Sequence, residues 1–280
     1  LANAGYDVSF IARGEHLKAI KNNGLKIISE LGDMIIHPAK ASDNPADFEI
    51  ADIVLFCVKS YDTESSSNLI KPIVGQNTAV IPFLNGIGHI EIMQKILGKN
   101  SVIGGVAAIS ALISEPGVIQ HNSAMQMLKF GEFNNIISHR IKAFHEACEK
   151  SGINNNIPEN IECDIWQKII MICTLAGANC ITRLPLGVCR TNPATRNFMK
   201  NLAEEAVEIA KAENIILPDN QVEITMKQLD SLPEAMKAST LPALEKGEKL
   251  EASALNGAIS ILGNKHEINT PAHKAVYAAL

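Results

Sequence analysis

Trp166-Gln167-Lys168 stands at the head of a long apolar run, Ile169 to Ile181, broken by Thr174 and Asn179. A lysine at the start of such a helix lies at the edge of a buried region. Burial disfavours the ammonium and lowers its pKa, which makes lysine a usable general acid near neutral pH. Such a group can protonate a carbonyl oxygen while hydride arrives at the carbon, the step a keto reductase needs. A lysine snorkelling its charge to water from a helix end is the commoner meaning of this pattern. The residues alone leave both readings open.

Other positions suit the same chemistry. Lys59 follows the apolar run Asp52–Val58, and Asn85-Gly86 follows the next one, Thr78–Phe83. In an open α/β sheet, ligands bind beyond the C-terminal ends of the strands, so a cation and an amide at neighbouring strand ends can hold a carboxylate or carboxamide. A solvated loop charge and a turn-forming asparagine are the alternative. Arg13 comes directly after the strand-like Tyr6–Ala12. An arginine at the end of the second strand of a dinucleotide-binding unit accommodates the 2′-phosphate of NADP, where an acidic residue selects NAD; a surface arginine fits equally well. Ser239 and Glu251 lie twelve residues apart around Pro242, expected to break the helix, and a charged turn at 245–249. Ser can bind a carboxylate and Glu can orient a hydroxyl, although both types are common on surfaces.

The elements that must position these groups alternate at first. Leu1 to Gly5 reads as the last turn of a helix closed by a glycine, and Tyr6–Ala12 as a strand. A chain that starts inside a helix and runs into a strand is expected to have lost strand one and the turn after it. A helix is expected at His16–Asn23, with short strands at Leu25–Ile28 and Met34–Pro38. The near-continuous apolar run Asp52–Val58 reads as a strand covered on both faces. A helix at Tyr61–Val74, a strand at Thr78–Phe83 and a helix at Ile90–Leu97 follow, then strands at Val102–Ile109 and Met125–Phe130. Residues 1–157 are therefore expected to form a Rossmann-type, doubly wound α/β domain lacking its first strand and glycine loop. Neither Gly75 nor Gly86-x-Gly88 supplies a GxGxxG between strand and helix.

From Pro158 helical periodicity takes over. Phe198, Leu202, Ala206 and Ile209 share one helix face. Thr270-Pro271 reads as a helix start, with Thr as the cap and Pro at the first helical position. Residues 158–280 are thus expected to form a mainly α-helical domain, the boundary falling in the turn at 154–159.

Composition narrows the function class. The 280 residues are 46% hydrophobic and 20% charged, with net charge −5, which gives no basic surface for nucleic acid and no polybasic membrane patch. No apolar stretch reaches the roughly 18 residues of a membrane span. Six cysteines show no CxxC pair and no metal-ligand spacing, and four sit in apolar surroundings, so a reducing cytoplasm is the simplest setting and no metal is expected.

Order and spacing together resemble the ketopantoate reductase (2-dehydropantoate 2-reductase) family over essentially the whole chain. AGYDVSFIARGEHLKAI is similar to that family's second strand with its ARGxH segment. CVKS resembles its strand-end lysine motif, and FLNGIG its QNGxG motif. WQKIIMICTLAGANCITRLPLG resembles the helix that carries the catalytic lysine, STLPALEKGEKLEASALNGAI the serine-to-glutamate segment, and TPAHKAVYAAL the closing helix.

The resemblance implies that Lys168 is the general acid and that Ser239 and Glu251 bind substrate. It implies that Asn85 sits between substrate and nicotinamide, that Lys59 lies near the cofactor, and that Arg13 meets the 2′-phosphate of NADPH. It also implies an active site in the cleft between the two domains. Four positions depart from the pattern. Ile172 and Ala176 stand where pantoate-forming members often carry asparagines, Ala243 replaces a common aspartate, and Leu84 a glutamine. Methyl groups in place of amides hold a dihydroxy acid less specifically.

The expected activity is NADPH-dependent reduction of ketopantoate to pantoate in pantothenate and coenzyme A synthesis. The alternatives are reduction of another branched 2-keto acid and a non-catalytic NADP sensor. A small-molecule substrate is the only expected partner, apart from a homodimer, which stays open.

Overall fold

The computed structural model describes residues 1–280 and divides the chain into two compact units. The first comprises Leu1–Val58, Thr63–Phe83 and Ile92–Ile161. The second takes Lys59–Asp62, Leu84–Glu91 and Glu162–Leu280. Two short excursions that follow apolar strands thus belong with the C-terminal part of the chain.

The first unit alternates strand and helix. β1 (Ser9–Ile11) leads to α1 (Gly14–Asn23), and β2 (Leu25–Ser29), β3 (Met34–Ile36) and β4 (Lys40–Ser42) follow. β5 (Ala51–Phe56), α2 (Thr63–Leu69), β6 (Val74–Pro82) and α3 (His89–Leu97) come next, α3 starting in the second unit's excursion. β7 (Gly104–Glu115), β8 (Val118–Gly131), α4 (His139–Lys150) and β9 (Asn155–Asn156) complete the series. β1 pairs parallel with β4, and β5 parallel with β6.

The largest sheet has the order β3-β2-β8-β7, with β9 added to β8. Its β2–β8 pair is parallel, but β2–β3 and the long β7–β8 hairpin are antiparallel. The antiparallel component is therefore larger than the periodicity suggests, and the strands form three hydrogen-bonded sheets instead of one.

Burial follows the residue types. In β6, Ala79, Val80 and Ile81 are fully buried, as a strand covered on both faces requires. β5 differs from that expectation: Val54 and Phe56 are buried, whereas Leu55 is 40% exposed. The core of this unit joins Ala79 and Ile81 to Ile103, Phe130, Ile141, Phe144 and Cys148, which packs α4 onto β6 and β8.

The second unit is helical. It contains α5 (Ile161–Thr182), α6 (Leu186–Thr191), α7 (Pro193–Ala212), α8 (Gln221–Ser231), α9 (Thr240–Glu245), α10 (Asn256–Lys265) and α11 (Pro271–Ala279), with the first residue of α5 in the first unit. The face predicted on α7 is the one buried: Leu202, Ala206 and Ile209 are inaccessible. α7 lies close enough to α5 that a Cβ at Gly177 would come within 2.8 Å of Leu202 Cδ1 and would have to displace that methyl group.

Three local expectations are corrected. α5 begins at Ile161, so Lys168 sits about two turns inside the helix and not at its start. With that extension α5 is long and apolar enough to cross a membrane by length and composition, yet 67% of its most apolar window is buried within the protein, as in a core helix. Pro242 lies in the first turn of α9, where its missing N–H would be unpaired anyway, and it does not break the helix. Thr270 occupies the cap of α11 without capping it. Glu205 instead accepts the backbone N–H groups of Ala272 and His273 at 2.8 and 3.0 Å, and a carboxylate at a helix N-terminus is favoured by the dipole.

Candidate active site

Lys168 is held by the packing around it. Its neighbours Trp166, Ile169 and Ile170 are buried against Ala203, Ala206, Val207 and Ala210 of α7, and against Leu255 and Ile259 around the start of α10. The side chain itself is half-buried. Burial pushes its ammonium down from the ordinary lysine value to about 8, so near neutrality it is charged and readily gives up a proton.

Glu251 ends the loop that precedes a short 3₁₀ turn, Ala252–Ala254. Its side chain is 16% exposed. One carboxylate oxygen accepts the Ser60 backbone N–H at 2.8 Å, and the other accepts from Lys59 Nζ at 3.3 Å. Lys59 is largely exposed, so the ion pair contributes little, on the order of 1 kcal/mol or less. The backbone bond is the firmer tie. A second link runs alongside, with Lys249 Nζ 4.0 Å from the centre of the Tyr61 ring.

The turn after Asn85 meets the segment that follows Glu251 through a glycine. Gly86 has φ +106°, and a Cβ there would lie 2.6 Å from the Ala254 carbonyl oxygen. Only glycine permits both the conformation and the approach. Next to it, Ile87 packs on the cluster that holds Trp166 and Ile169. Lys59, Asn85, Lys168 and Glu251 therefore belong to one compact unit.

Ser239 shares that unit but is exposed and does not cap α9, although it stands at the cap position. Arg13 belongs to the first unit. It lies two residues beyond β1, exposed, at the cap position of α1. An exposed guanidinium at the C-terminal end of a parallel strand is a donor set that fits a phosphate monoester.

The four departures from the family pattern add no polar group to the core. Ala176 and Leu84 are buried, Ile172 is partly buried against the core around Trp166, and Ala243 is half-buried in α9. No group of three or more His, Cys, Asp or Glu side chains is placed to hold a metal ion.

Two residues escape the sequence reading. Asn179 is fully buried in α5; its amide donates to the Leu184 carbonyl at 2.8 Å and accepts the Ala238 N–H at 2.8 Å, which fixes the chain just before Ser239. The signal is an amide inside an apolar helix, a residue type that is buried only when its hydrogen bonds are met. His89 is the second. It is 6% exposed, and burial and then the Lys168 charge push its imidazole down to about 4, while Glu251 pulls the other way. His89 thus lies within electrostatic reach of both. No spacing rule marks it.

Comparison with known proteins matches residues 1–135 to the family described as ketopantoate reductase PanE/ApbA and residues 160–280 to its C-terminal counterpart. The uncharacterized oxidoreductase YkpB of Bacillus subtilis is 30% identical over 100% of this chain and 92% of its own length. A 2-dehydropantoate 2-reductase of Mesorhizobium japonicum is 28% identical over 99% of this chain and 90% of its own. The crystal structure of a PanE/ApbA family ketopantoate reductase from Ralstonia eutropha JMP134 is similar with TM-score 0.89 and 27% identity, covering 99% of this chain and 90% of that one.

Proposed function

Because the chain belongs to the ketopantoate reductase family and is thereby an oxidoreductase, we propose that it reduces the C2 carbonyl of ketopantoate with NADPH, giving pantoate for pantothenate synthesis. The observation that carries this reading is Lys168, an ammonium poised near pH 8 in the compact unit that also holds Asn85 and Glu251.

NADPH, when bound, would supply the hydride for C2, with Arg13 among the residues that would hold it. The charge that then develops on the carbonyl oxygen takes a proton from Lys168 Nζ, which is left neutral and regains its proton from solvent. Glu251, held by Ser60 and Lys59, keeps accepting capacity for a substrate hydroxyl. Asn85, in the same compact unit, would offer an amide, and Ser239 a hydroxyl for the substrate carboxylate. Arg13 supports NADPH over NADH, since its guanidinium suits the 2′-phosphate. The six cysteines form no disulfide, which accords with a reducing, cytoplasmic setting.

A second reading keeps this chemistry and changes the substrate to another branched 2-keto acid. Ile172 and Ala176 favour it, because they remove two amides that would otherwise bind a polar substrate tail. The test is NADPH oxidation by the full-length protein with a panel of 2-keto acids, set against Lys168→Ala. Ketopantoate turnover that needs Lys168 supports the first reading. Turnover of other keto acids with ketopantoate poor supports the second, and equal rates with and without Lys168 remove it from the mechanism.

A further inference from the structure

His89 heads α3, three residues beyond Gly86, and its Nδ1 is buried without a hydrogen-bond partner. A buried polar atom left unpaired costs about 1–3 kcal/mol, and native proteins carry few of them. One in electrostatic reach of Lys168 and Glu251 stands where a ligand would complete the hydrogen bonding.

The chemistry of that ligand atom follows from the surroundings. Burial and the Lys168 charge keep the imidazole neutral at physiological pH. A neutral ring can donate one N–H to a carboxylate or to an alcohol oxygen, but the Glu251 carboxylate within electrostatic reach disfavours a second carboxylate beside it. An alcohol fits instead: its O–H donates to a carboxylate, and its oxygen accepts from a ring N–H. Glu251 supplies the carboxylate, and Nδ1 in its protonated tautomer supplies the N–H. On α5, Ile172 and Ala176 offer no competing polar group.

We propose that His89 is a specificity-determining residue that hydrogen-bonds through Nδ1 to a hydroxyl of the bound 2-keto acid, an assignment that rests on the reductase reading above. His89 thereby does for this chain part of what amides at positions 172 and 176 would do.

The test compares ketopantoate with 3,3-dimethyl-2-oxobutanoate, which has the same skeleton without the hydroxyl, using the wild type, His89→Phe and His89→Asn. His89→Phe is expected to lower kcat/KM for ketopantoate roughly ten- to a hundredfold, mainly through KM, as loss of a buried hydrogen bond to substrate does. The deoxy substrate is expected to change less than about threefold, since it makes no such bond. His89→Asn, whose amide nitrogen reproduces the donor, is expected to recover part of the loss and carries the test should the Phe variant fail to fold. Melting temperature should not fall in step, because no bond within the protein is lost. Parallel losses on both substrates overturn the proposal, as does a wild type that reduces only the deoxy compound. A wild type that reduces neither overturns the reductase reading itself, and this one with it.

Discussion

The Glu251 carboxylate accepts the Ser60 backbone N–H at 2.8 Å across 191 residues of sequence. A side chain expected to bind substrate therefore also anchors the turn that follows β5. A hydrogen bond to a charged group contributes about 1.5–3 kcal/mol, so Glu251→Ala should speed amide exchange at Ser60 roughly ten- to a hundredfold and raise KM. Glu251→Gln should show the smaller effect, as it keeps one acceptor. Unchanged exchange at Ser60 would mean that the contact does not hold the turn.

The low pKa of Lys168 fixes the sign of a pH dependence. A general acid works only while protonated, so kcat/KM should be level below about pH 8 and fall about tenfold per unit above it. Lys168→Ala should lower kcat by about 10²–10⁴. Stability moves the other way. The folded protein binds fewer protons than the unfolded chain between about 8 and 10.5, so wild type should gain stability relative to Lys168→Met as pH rises through that window. Urea titrations of both proteins at several pH values check the sign; a gap that widens with pH in the opposite sense contradicts it.

For Arg13, cofactor choice is the readout. Replacing it by Ala should raise KM for NADPH roughly ten- to a hundredfold while leaving NADH nearly unchanged, because only the former carries the 2′-phosphate that a guanidinium grips. Equal effects on both cofactors would assign Arg13 to the surface.

Asn179→Leu removes two buried hydrogen bonds and leaves the Leu184 carbonyl and the Ala238 N–H without them. The expected destabilisation is about 2–4 kcal/mol, measured by chemical denaturation. A variant that stays folded should also bind substrate more weakly, through the loosened chain before Ser239. Full stability in the Asn179→Leu variant would show that water replaces the amide at no cost.

Much of this is legible because local pattern and tertiary role agree. The apolar run at β6, the face of α7 and the alternation up to β5 follow from periodicity that burial then uses. β8 is readable only from Met125, because Gln120-His121-Asn122-Ser123 lack strand-forming side chains; pairing with β7 and β2 overrides that local preference. α4 escapes the pattern, its apolar positions being few among charges. In the candidate site, Lys168, Asn85 and Glu251 stand out through the family pattern, whereas His89 and Asn179 do not. Their significance lies in what surrounds them: an unpaired ring nitrogen and two satisfied backbone groups, neither of which is encoded by spacing.

The second unit is discontinuous, drawing on Lys59–Asp62 and Leu84–Glu91 as well as Glu162–Leu280. During synthesis from the N-terminus, Lys59 and Asn85 leave the ribosome long before Glu251 and Ala254, the partners that their turns pack against. The two early turns lack these contacts until residues 251–254 have emerged. A nascent chain stalled before residue 251 therefore carries the proposed acid Lys168 without the segment that holds Glu251 and Ala254.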